Sequence, residues 1–350
     1  MTSTLSKSSS AKSKYVRLPV ETVFPTSYTR YFRRFSRANV LVIGDIMIDH
    51  YIWGTVSRIS PEAPVPIVDV EHESLRLGGA ANVYSNILSL GGKAEVCGVI
   101  GQDESGQSLL KELGVTQRHH PGIIVDPSRP TTRKVRLVAH SQQVIRYDVE
   151  KRQDISAQAI RGIVKYVQSR LDSISCMVIS DYAKGVITPS LMAHVSELAR
   201  SRKIPLIIDP KVEHFSYYAG ATVLTPNHIE AQQASGLSGH DHQTIHKIGH
   251  LLRQKLGCQT VLVTRGEQGM SLCENNGKSL HIPAVARQVY DVTVAGVTVV
   301  STLALALSVN ASNQEASIMA NYAAGVVVGQ VGTASITKNQ LKKAMQQVYE

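Results

Sequence analysis

Short apolar runs alternate with helical patterns along most of the chain from residue 39 onward. The runs are rich in Val, Ile and Leu, which is typical of strands that are buried on both faces. They lie at residues 39–44, 94–100, 176–180, 205–208, 222–224 and 260–264. Helical patterns, such as residues 80–90 and 191–200, separate them. Strands that alternate with helices predict an α/β fold with a mostly parallel sheet covered on both faces.

Two segments depart from this rhythm. Residues 57–71 contain three prolines followed by alternating apolar positions, which is typical of an edge strand. Residues 131–147 also alternate and are rich in Arg. We interpret both as parts of a small β lid, over about residues 51–77 and 131–147, that projects over a site or against a second subunit. The pattern fits an ordinary surface hairpin equally well.

The positive charge is concentrated at the N-terminus. The chain has 350 residues and a net charge of +10, of which residues 1–40 contribute +7 through eight Lys or Arg and one Glu. The remaining body therefore gives no indication of a nucleic-acid-binding face. We interpret residues 1–38 as a basic, Ser-rich tail that is disordered at its start, although the same composition fits an organelle transit peptide. Within it, residues 28–35 predict a short basic amphipathic helix.

Two long uncharged stretches, residues 292–309 and 316–337, resemble membrane spans at first sight. Ser, Thr and Gly interrupt both of them, so buried helices of a large domain are the better interpretation. The four cysteines show no metal-binding spacing, and reduced thiols of a cytosolic protein are expected. We therefore expect a cytoplasmic protein with no membrane span.

Residues 289–300 predict a phosphate-binding element. A β-branched strand leads through a tight turn at Ala295 and Gly296 into an apolar helix that begins at Thr298. A helix N-terminus of this kind presents unpaired backbone N–H groups and a positive dipole end, which bind anions. No ionisable side chain follows Asp291 within the segment. The element therefore lacks an acid or base of its own.

Polar residues follow several predicted strands, at the end of the sheet where ligands bind in parallel folds. Gly78 and Gly79 allow a close backbone approach, and Asn82 after them can hydrogen-bond a polyol. Lys184, in the motif DYAKG, suits a phosphate. Taken alone, the two glycines and Asn82 are better explained as an N-cap turn, and a lone DYAKG is a weak signal. The other candidates at strand ends are Asp45, Asp49, Asp181, Asp209, Asn227 and Arg265.

Asn227 and Glu230 are spaced to share one face of a helix start. They can hold a hydrated magnesium ion there, or simply cap the helix, and the spacing favours neither. Thr264, Gly266 and Gly269 form a Gly-rich turn after a strand, and most single turns of this kind are only turns.

The order of these motifs is more specific than any one of them. GDxMxD, GGAAN, DYAKG, IDPK, TPNxxE, VTRGxxG, DVTxAG and NYAAGVVV follow one another over about residues 40–341. This series resembles the ribokinase-like, pfkB-type carbohydrate kinases and implies a ribokinase-like three-layer sandwich over residues 39–350. RISPEAPVP at residues 58–66 and QQVIRYD at residues 142–148 resemble the branch that phosphorylates heptose 7-phosphate for ADP-heptose synthesis.

The resemblance implies a reaction and a set of roles. ATP, with Mg²⁺, phosphorylates the anomeric hydroxyl of a heptose 7-phosphate, and the lid pairs two subunits into a homodimer. The residues implied for the sugar and its phosphate are Asp49, Gly78, Gly79, Asn82, Lys134 and Arg136. Those implied for the nucleotide and phosphates are Lys184, Asn227, Glu230, Thr264, Gly266, Gly269 and Asn321. Asn227 and Glu230 organise magnesium indirectly, and Asp291 belongs to cation organisation.

The chain departs from the family at the phosphate-binding element. The family loop reads Asp-x-Thr-Gly-Ala-Gly-Asp, in which the last Asp takes the proton of the attacking hydroxyl. Here Ala295 and Gly296 remain for the anion hole, but Val294 replaces the first Gly and Val297 replaces the catalytic Asp. A β-branched residue resists the positive φ that Gly permits.

Loss of a general base lowers a rate by about 10²- to 10⁴-fold, so we predict severe impairment. Residual activity is compatible with the sequence, because positioning and electrostatics supply much of phosphoryl-transfer catalysis. The alternative function is that of a pseudokinase, acting as a ligand-binding or dimeric scaffold protein.

Overall fold

The computed structural model describes residues 15–17, 28–115, 120–140, 142–285, 295–329 and 335–346. Within these ranges the strands are β1 (Tyr15–Arg17), β2 (Asn39–Gly44), β3 (Ile46–Ile59), β4 (Pro66–Gly79), β5 (Lys93–Ile100), β6 (Ile123–Val125), β7 (Thr132–Ala139), β8 (Gln142–Val149), β9 (Cys176–Ser180), β10 (Leu206–Asp209), β11 (Val223–Leu224), β12 (Thr260–Thr264), β13 (Met270–Glu274) and β14 (Ser279–Ile282). Each of the six apolar runs predicted as strands coincides with one of them to within one residue at either end.

Ten of these strands form the large sheet, in the order β1-β14-β13-β12-β11-β10-β9-β2-β5-β6. Neighbouring strands run parallel except for β13, which is antiparallel to both β12 and β14. The predicted mostly parallel sheet is therefore confirmed. Its parallel strands all end at one edge, which brings the polar motifs that follow them close together.

Helices cover both faces of the large sheet. They are α1 (Thr29–Arg34), α2 (Ala80–Ser89), α3 (Glu104–Glu112), α4 (Ala157–Arg170), α5 (Pro189–Ser201), α6 (His228–Ser235), α7 (His242–Leu256), α8 (Ala295–Ser308), α9 (Asn313–Val328) and α10 (Lys338–Gln346). Two hydrophobic cores lie on opposite faces of the large sheet, and alternate residues of β2 contribute to one or the other. Val40 and Val42 pack with α2, α8 and α9, whereas Leu41 and Ile43 pack with α4, α5 and α7 on the other face.

Short polar side chains determine where several helices begin. Asp103, Ser156, Thr188 and Asp241 precede α3, α4, α5 and α7, and each accepts a hydrogen bond from a backbone N–H of the first turn. α7 ends at Gly257, whose φ of +60° lies in the left-handed region that glycine adopts without strain. Local sequence thus determines where these helices begin and where α7 ends.

The small sheet consists of β4, β3, β7 and β8 in that spatial order. β3 and β4 form an antiparallel hairpin, β7 runs parallel to β3, and β8 is antiparallel to β7. The proline-rich segment occupies the hairpin turn and the start of an edge strand, as predicted. Its strands lie within residues 46–79 and 132–149, close to the two predicted lid segments.

The segment before β2 packs onto the domain. α1 is the predicted basic helix: its aromatic side chains enter the core, whereas Arg33 and Arg34 are exposed. The Tyr31 hydroxyl donates to Glu315 at 2.8 Å, which ties α1 to α9. α1 therefore packs on the same core as the elements that follow it. Further upstream, β1 adds a parallel edge strand beside β14.

The two long apolar stretches contain buried helices, as predicted. α8 and α9 pack against each other within one core. Ser301 and Thr302 donate side-chain hydrogen bonds of 2.8 Å to backbone carbonyls one turn earlier in α8, so their hydroxyls are satisfied inside the apolar helix. Among the residues that the structure describes, no helix is both long and apolar enough to cross a membrane.

The prediction of a tight turn at Ala295 and Gly296 was wrong. Both residues belong to α8, which begins three residues before the predicted helix start at Thr298. Small residues fit the first turn of a helix as readily as a loop, so the sequence alone favoured the wrong choice. The strand predicted just before them lies outside the described residues.

Candidate active site

A cavity of about 650 Å³ opens at the carboxyl ends of β9, β10, β11 and β12. This volume lies within the range of small-molecule sites. The predicted residues that line it are Asp181, Asp209, Asn227, Glu230, Thr264, Gly266, Gly269, Ala295, Gly296, Val297 and Asn321. Motifs that are distant in sequence therefore meet around one space.

Asn227 and Glu230 form a capping box at the start of α6. The Asn227 side chain accepts hydrogen bonds from the N–H groups of Ile229 and Glu230, and Glu230 accepts one from the Asn227 N–H, all at 2.9 Å. The other Glu230 oxygen lies 3.3 Å from Lys211 Nζ. Helix capping is thus the arrangement present in the structure. Both side chains also line the cavity, and their role toward magnesium stays a prediction.

The Gly-rich turn after β12 forms a second wall of the cavity. The Arg265 N–H donates to the Gly269 carbonyl at 2.8 Å and closes the turn. Gly269 has a φ of +79°, and a Cβ there would lie 2.1 Å from the Ile282 carbonyl oxygen. Only glycine fits this position. The turn carries Thr264 and Gly266 to the cavity lining.

Apolar side chains complete the cavity on the side of α9. Val285, Ala324 and Val328 line it together with Asn321. Asn321 is buried, and its amide donates to the Pro283 carbonyl at 2.8 Å. The amide therefore ties α9 to the segment that leaves β14.

The N-terminus of α8 reaches the cavity through Ala295, Gly296 and Val297. The first backbone N–H groups of a helix have no partner within it, so this end can donate to an anion. The position predicted for a catalytic carboxylate is instead an apolar side chain, 5 % exposed. Asp291 and Val294 lie outside the described residues.

Asp49, Lys134 and Arg136 share one face of the small sheet. Asp49 stands beside Lys134, and Tyr51 beside Arg136, in the register of β3 and β7. Arg136 Nη1 donates to Asp49 Oδ1 at 2.5 Å, and both side chains are largely buried. Arg146 stands beside Arg136 on β8. Arg146 is thus a further basic residue of this sheet that sequence reasoning missed. The alternation of apolar and polar positions in residues 131–147 could have identified it.

Gly78 and Gly79 end β4 at the base of the same sheet, opposite Met47 and Ile46 at the start of β3. A Cβ on Gly78 would lie 2.5 Å from Asp49 Oδ2, so the glycine leaves room beside this carboxylate. Gly79 has a φ of +56° and leads directly into α2. The Asn82 side chain accepts a hydrogen bond from Asn86 Nδ2 at 2.8 Å. This region lies outside the lining of the 650 Å³ cavity.

Two predicted residues have their charged groups engaged away from the cavity. Asp45 is buried and accepts hydrogen bonds of 2.8–3.1 Å from the N–H groups of Tyr182, Lys184 and Val186. Burial raises the pKa of Asp45 to about 6. Lys184 Nζ lies 2.7 Å from Glu150. Asp45 therefore anchors a loop, and Lys184 is not brought to the cavity.

Asp209 and Glu230 place two carboxylates in the cavity. Burial raises the pKa of Asp209 to about 7, and the charge of Glu230 acts in the same direction. Oxygen donors of this kind suit Mg²⁺, and a cation relieves their repulsion. No group of three metal-ligating side chains occurs within the described ranges. The residues fit a hydrated ion that keeps water and ligand oxygens in its shell.

Tyr182 and Lys211 are additional candidates that sequence reasoning missed. Both line the cavity. The motifs DYAKG and IDPK were noticed, but Lys184 was selected from the first and no residue from the second. Their position directly after buried strands is the signal that could have found them, as it found Asp181 and Asp209.

Solved structures share this fold. Arabidopsis thaliana ribokinase complexed with ribose and ATP matches with a TM-score of 0.68 and 20% identity, over 88% of this chain and 99% of that chain. Escherichia coli phosphofructokinase-2 in complex with substrates and products matches with a TM-score of 0.72 and 17% identity, over 89% and 100% of the two chains. The predicted ribokinase-like α/β fold is therefore confirmed.

The model of the pfkB family of carbohydrate kinases matches residues 37–340. Bifunctional protein HldE of Geobacter sulfurreducens is 44% identical over 310 residues, which are 89% of this chain and 63% of that protein. Bifunctional protein HldE of Trichlorobacter lovleyi is 43% identical over 90% of this chain and 64% of that protein. The chain belongs to the pfkB family of carbohydrate kinases. It spans less than two thirds of the length of these relatives.

Proposed function

We propose that this chain is by descent a heptose 7-phosphate kinase that binds ATP in the cavity. We further propose that its phosphoryl transfer is severely impaired. The observation that carries this proposal is the position of Val297. It lies at the N-terminus of α8, in the lining of a cavity that is also lined by Asn227, Glu230, Thr264, Gly266, Gly269 and Asn321. Family membership and the similarity to HldE proteins support the sugar-kinase part.

The small sheet supplies the groups for the sugar phosphate. Arg136 and Lys134 provide the positive charge, and the planar fork of Arg matches the oxygens of a phosphate. Asp49 can accept hydrogen bonds from sugar hydroxyls, and Gly78 leaves room beside it. We assign the distal phosphate to the two basic residues and the hydroxyls to the carboxylate.

The cavity supplies the groups for the nucleotide. Its apolar wall around Ala324 and Val328 suits a base, and the N–H groups at the start of α8 suit the phosphates. When bound, ATP supplies the phosphoryl group, and Mg²⁺ near Asp209 and Glu230 balances its charge. Lys211 adds a positive group beside the same carboxylates.

Proton removal from the attacking hydroxyl is the step that this site lacks. Valine has no proton acceptor, and Thr298 and Ser301 in the same helix are too weakly basic to replace a carboxylate. Binding and alignment remain available, because they depend on other residues. The expected loss is therefore in turnover and not in affinity.

The test is restoration of the carboxylate. We expect Val297→Asp combined with Val294→Gly to raise ADP formation, with ATP, Mg²⁺ and heptose 7-phosphate, by about 10²- to 10⁴-fold. Val299→Asp is the matched control, because Val299 lines the same cavity from the same helix. Wild-type turnover equal to that of the double variant would show that the valines do not impair the enzyme. An equal gain from Val299→Asp would show that position 297 is not special.

A second candidate function is a dimeric, ligand-binding scaffold in the cytoplasm. The small sheet favours it by exposing large apolar side chains, including Ile59, Val70 and Ile145. We propose that these side chains form a homodimer interface. Calorimetry separates the possibilities: ligand binding without turnover supports a sensor, and binding of neither ligand, together with a dimer in analytical ultracentrifugation, supports a scaffold.

A further inference from the structure

Tyr182 lies between the two groups of candidate ligand-binding residues. Lys134 Nζ is 5.2 Å, and Lys211 Nζ is 5.9 Å, from the centroid of its ring. Lys134 belongs to β7 of the small sheet, whereas Lys211 follows β10 of the large sheet. Two ammonium groups from separate sheets therefore converge on one aromatic ring at cation–π distance.

Carboxylates from both regions act electrostatically on the same phenol. Burial raises the pKa of Tyr182, and the charges of Asp209 and Asp49 raise it further. Asp209 belongs to the cavity, and Asp49 to the small sheet. The phenol therefore stays neutral at physiological pH, and the ring face remains available to cations.

The loop that carries Tyr182 is held in a strained conformation. Asp45 accepts hydrogen bonds from three of its backbone N–H groups, and the buried Arg129 donates to the Lys184 carbonyl. Ala183 has a φ of +54°, which is uncommon for a residue with a Cβ. Such strain persists only where the surroundings over-determine it. The position of the ring is thus set by buried contacts beneath the loop.

An aromatic face differs from a carboxylate as a partner for lysine. A carboxylate neutralises the ammonium charge, as Glu150 does for Lys184 at 2.7 Å. The contact of Lys211 with Glu230 is longer, at 3.3 Å and partly exposed, and offsets only part of its charge. A ring attracts the cation through its quadrupole and leaves the net positive charge in place for an anion. Burial lowers the pKa of Lys134, so an approaching phosphate gains by pairing with it.

We propose that Tyr182 is a positioning residue that holds Lys134 for the phosphate already present on the sugar and Lys211 for the phosphates of the nucleotide. This rests on the proposed function and sharpens its substrate class: a sugar that carries a phosphate remote from the reacting hydroxyl. One ring then sets the spacing between two anionic subsites on two different sheets.

The test compares binding of heptose 7-phosphate and of Mg·ADP by calorimetry. We expect Tyr182→Leu to weaken both ligands by about three- to tenfold, and Tyr182→Phe to retain both affinities. Lys134→Met should weaken only the sugar phosphate, and Lys211→Met only Mg·ADP. Tyr166→Leu is the matched control, because Tyr166 is a partly buried tyrosine on α4 outside the cavity. It should leave both affinities unchanged.

Several outcomes overturn the inference. Unchanged affinities in Tyr182→Leu refute it and leave the proposed function intact. An equal loss in Tyr182→Phe refutes it as well, because the hydroxyl would then be responsible. If Tyr182→Leu does not fold, a Lys134→Met variant that weakens both ligands alike refutes the division of roles. A wild-type chain that binds no heptose 7-phosphate overturns both the inference and the proposed substrate.

Discussion

The face of the small sheet and the N-terminus of α8 offer different chemistry. The first presents charged side chains: Asp49 paired with Arg136, and Lys134 nearby. The second presents backbone N–H groups and the apolar side chain of Val297. Electrostatic binding and proton removal thus depend on separate elements. A chain of this fold can lose the second and keep the first.

The apolar residue at the start of α8 is also well suited to folding. A carboxylate in a nearly buried position pays a desolvation cost that valine avoids. Functional sites commonly carry such local costs, so their loss tends to stabilise a protein. The two regions therefore also differ in their desolvation cost. The small sheet buries the ion pair of Asp49 and Arg136, whereas α8 has no charged side chain to bury.

Among the substitutions that test the difference between the small sheet and α8, Arg136→Leu is expected to have the largest effect on ligand affinity. It removes the residue that we propose as a donor to the sugar phosphate, and it leaves the largely buried Asp49 without its partner. We expect the affinity for heptose 7-phosphate to fall by about 30- to 100-fold, with Mg·ADP affinity unchanged, as measured by calorimetry. Arg152→Leu is the control, because Arg152 is exposed and pairs with Glu150. An equal fall for Mg·ADP would mean that the two regions are not separate.

An intermediate effect is expected from the pH dependence of Asp209. Its pKa of about 7 in the folded state lies above its usual value near 4. The folded state therefore binds the proton more tightly, and this stabilisation is present at low pH and lost as the pH rises from about 4 to 7. We expect the wild type to lose about 2 kcal/mol relative to Asp209→Asn across this range, after an allowance for solvent screening.

Denaturant unfolding at several pH values measures this difference, with Asp154→Asn as an exposed control. Added Mg²⁺ should reduce the slope, because a cation favours the ionised carboxylate. Identical pH profiles for the wild type and Asp209→Asn would contradict the raised pKa.

The smallest effect is expected from the helix caps. Asn227→Ala and Ser312→Ala each remove the leading residue of a capping box, at α6 and α9 respectively. Each should lower the free energy of unfolding by about 1 kcal/mol. Only Asn227→Ala should also weaken Mg·ADP, by about threefold, because Asn227 lines the cavity. Equal losses of Mg·ADP affinity would assign both effects to general destabilisation.

Buried parallel strands could be predicted well, since covering both faces requires continuous apolar runs such as 176–180 and 260–264. The choice between Lys184 and Tyr182 could not be made in the same way. It depends on the positive φ of Ala183 and on hydrogen bonds to Asp45, which lies more than 130 residues earlier in the chain. Sequence showed that the loop follows a strand, but long-range contacts decide which of its side chains faces the cavity.

Asn227 and Glu230 serve the folded chain whether or not a sugar is ever phosphorylated, because they hold the start of α6 together. In a lineage that no longer needed the kinase, substitutions there would still be removed, since they damage the fold. The presence of Asn227 and Glu230 is therefore no evidence that the chain is catalytically active. A carboxylate at position 297 has no such role in the fold, because that nearly buried position favours an apolar side chain. In such a lineage the catalytic carboxylate would therefore be lost before the residues that hold the cavity walls together.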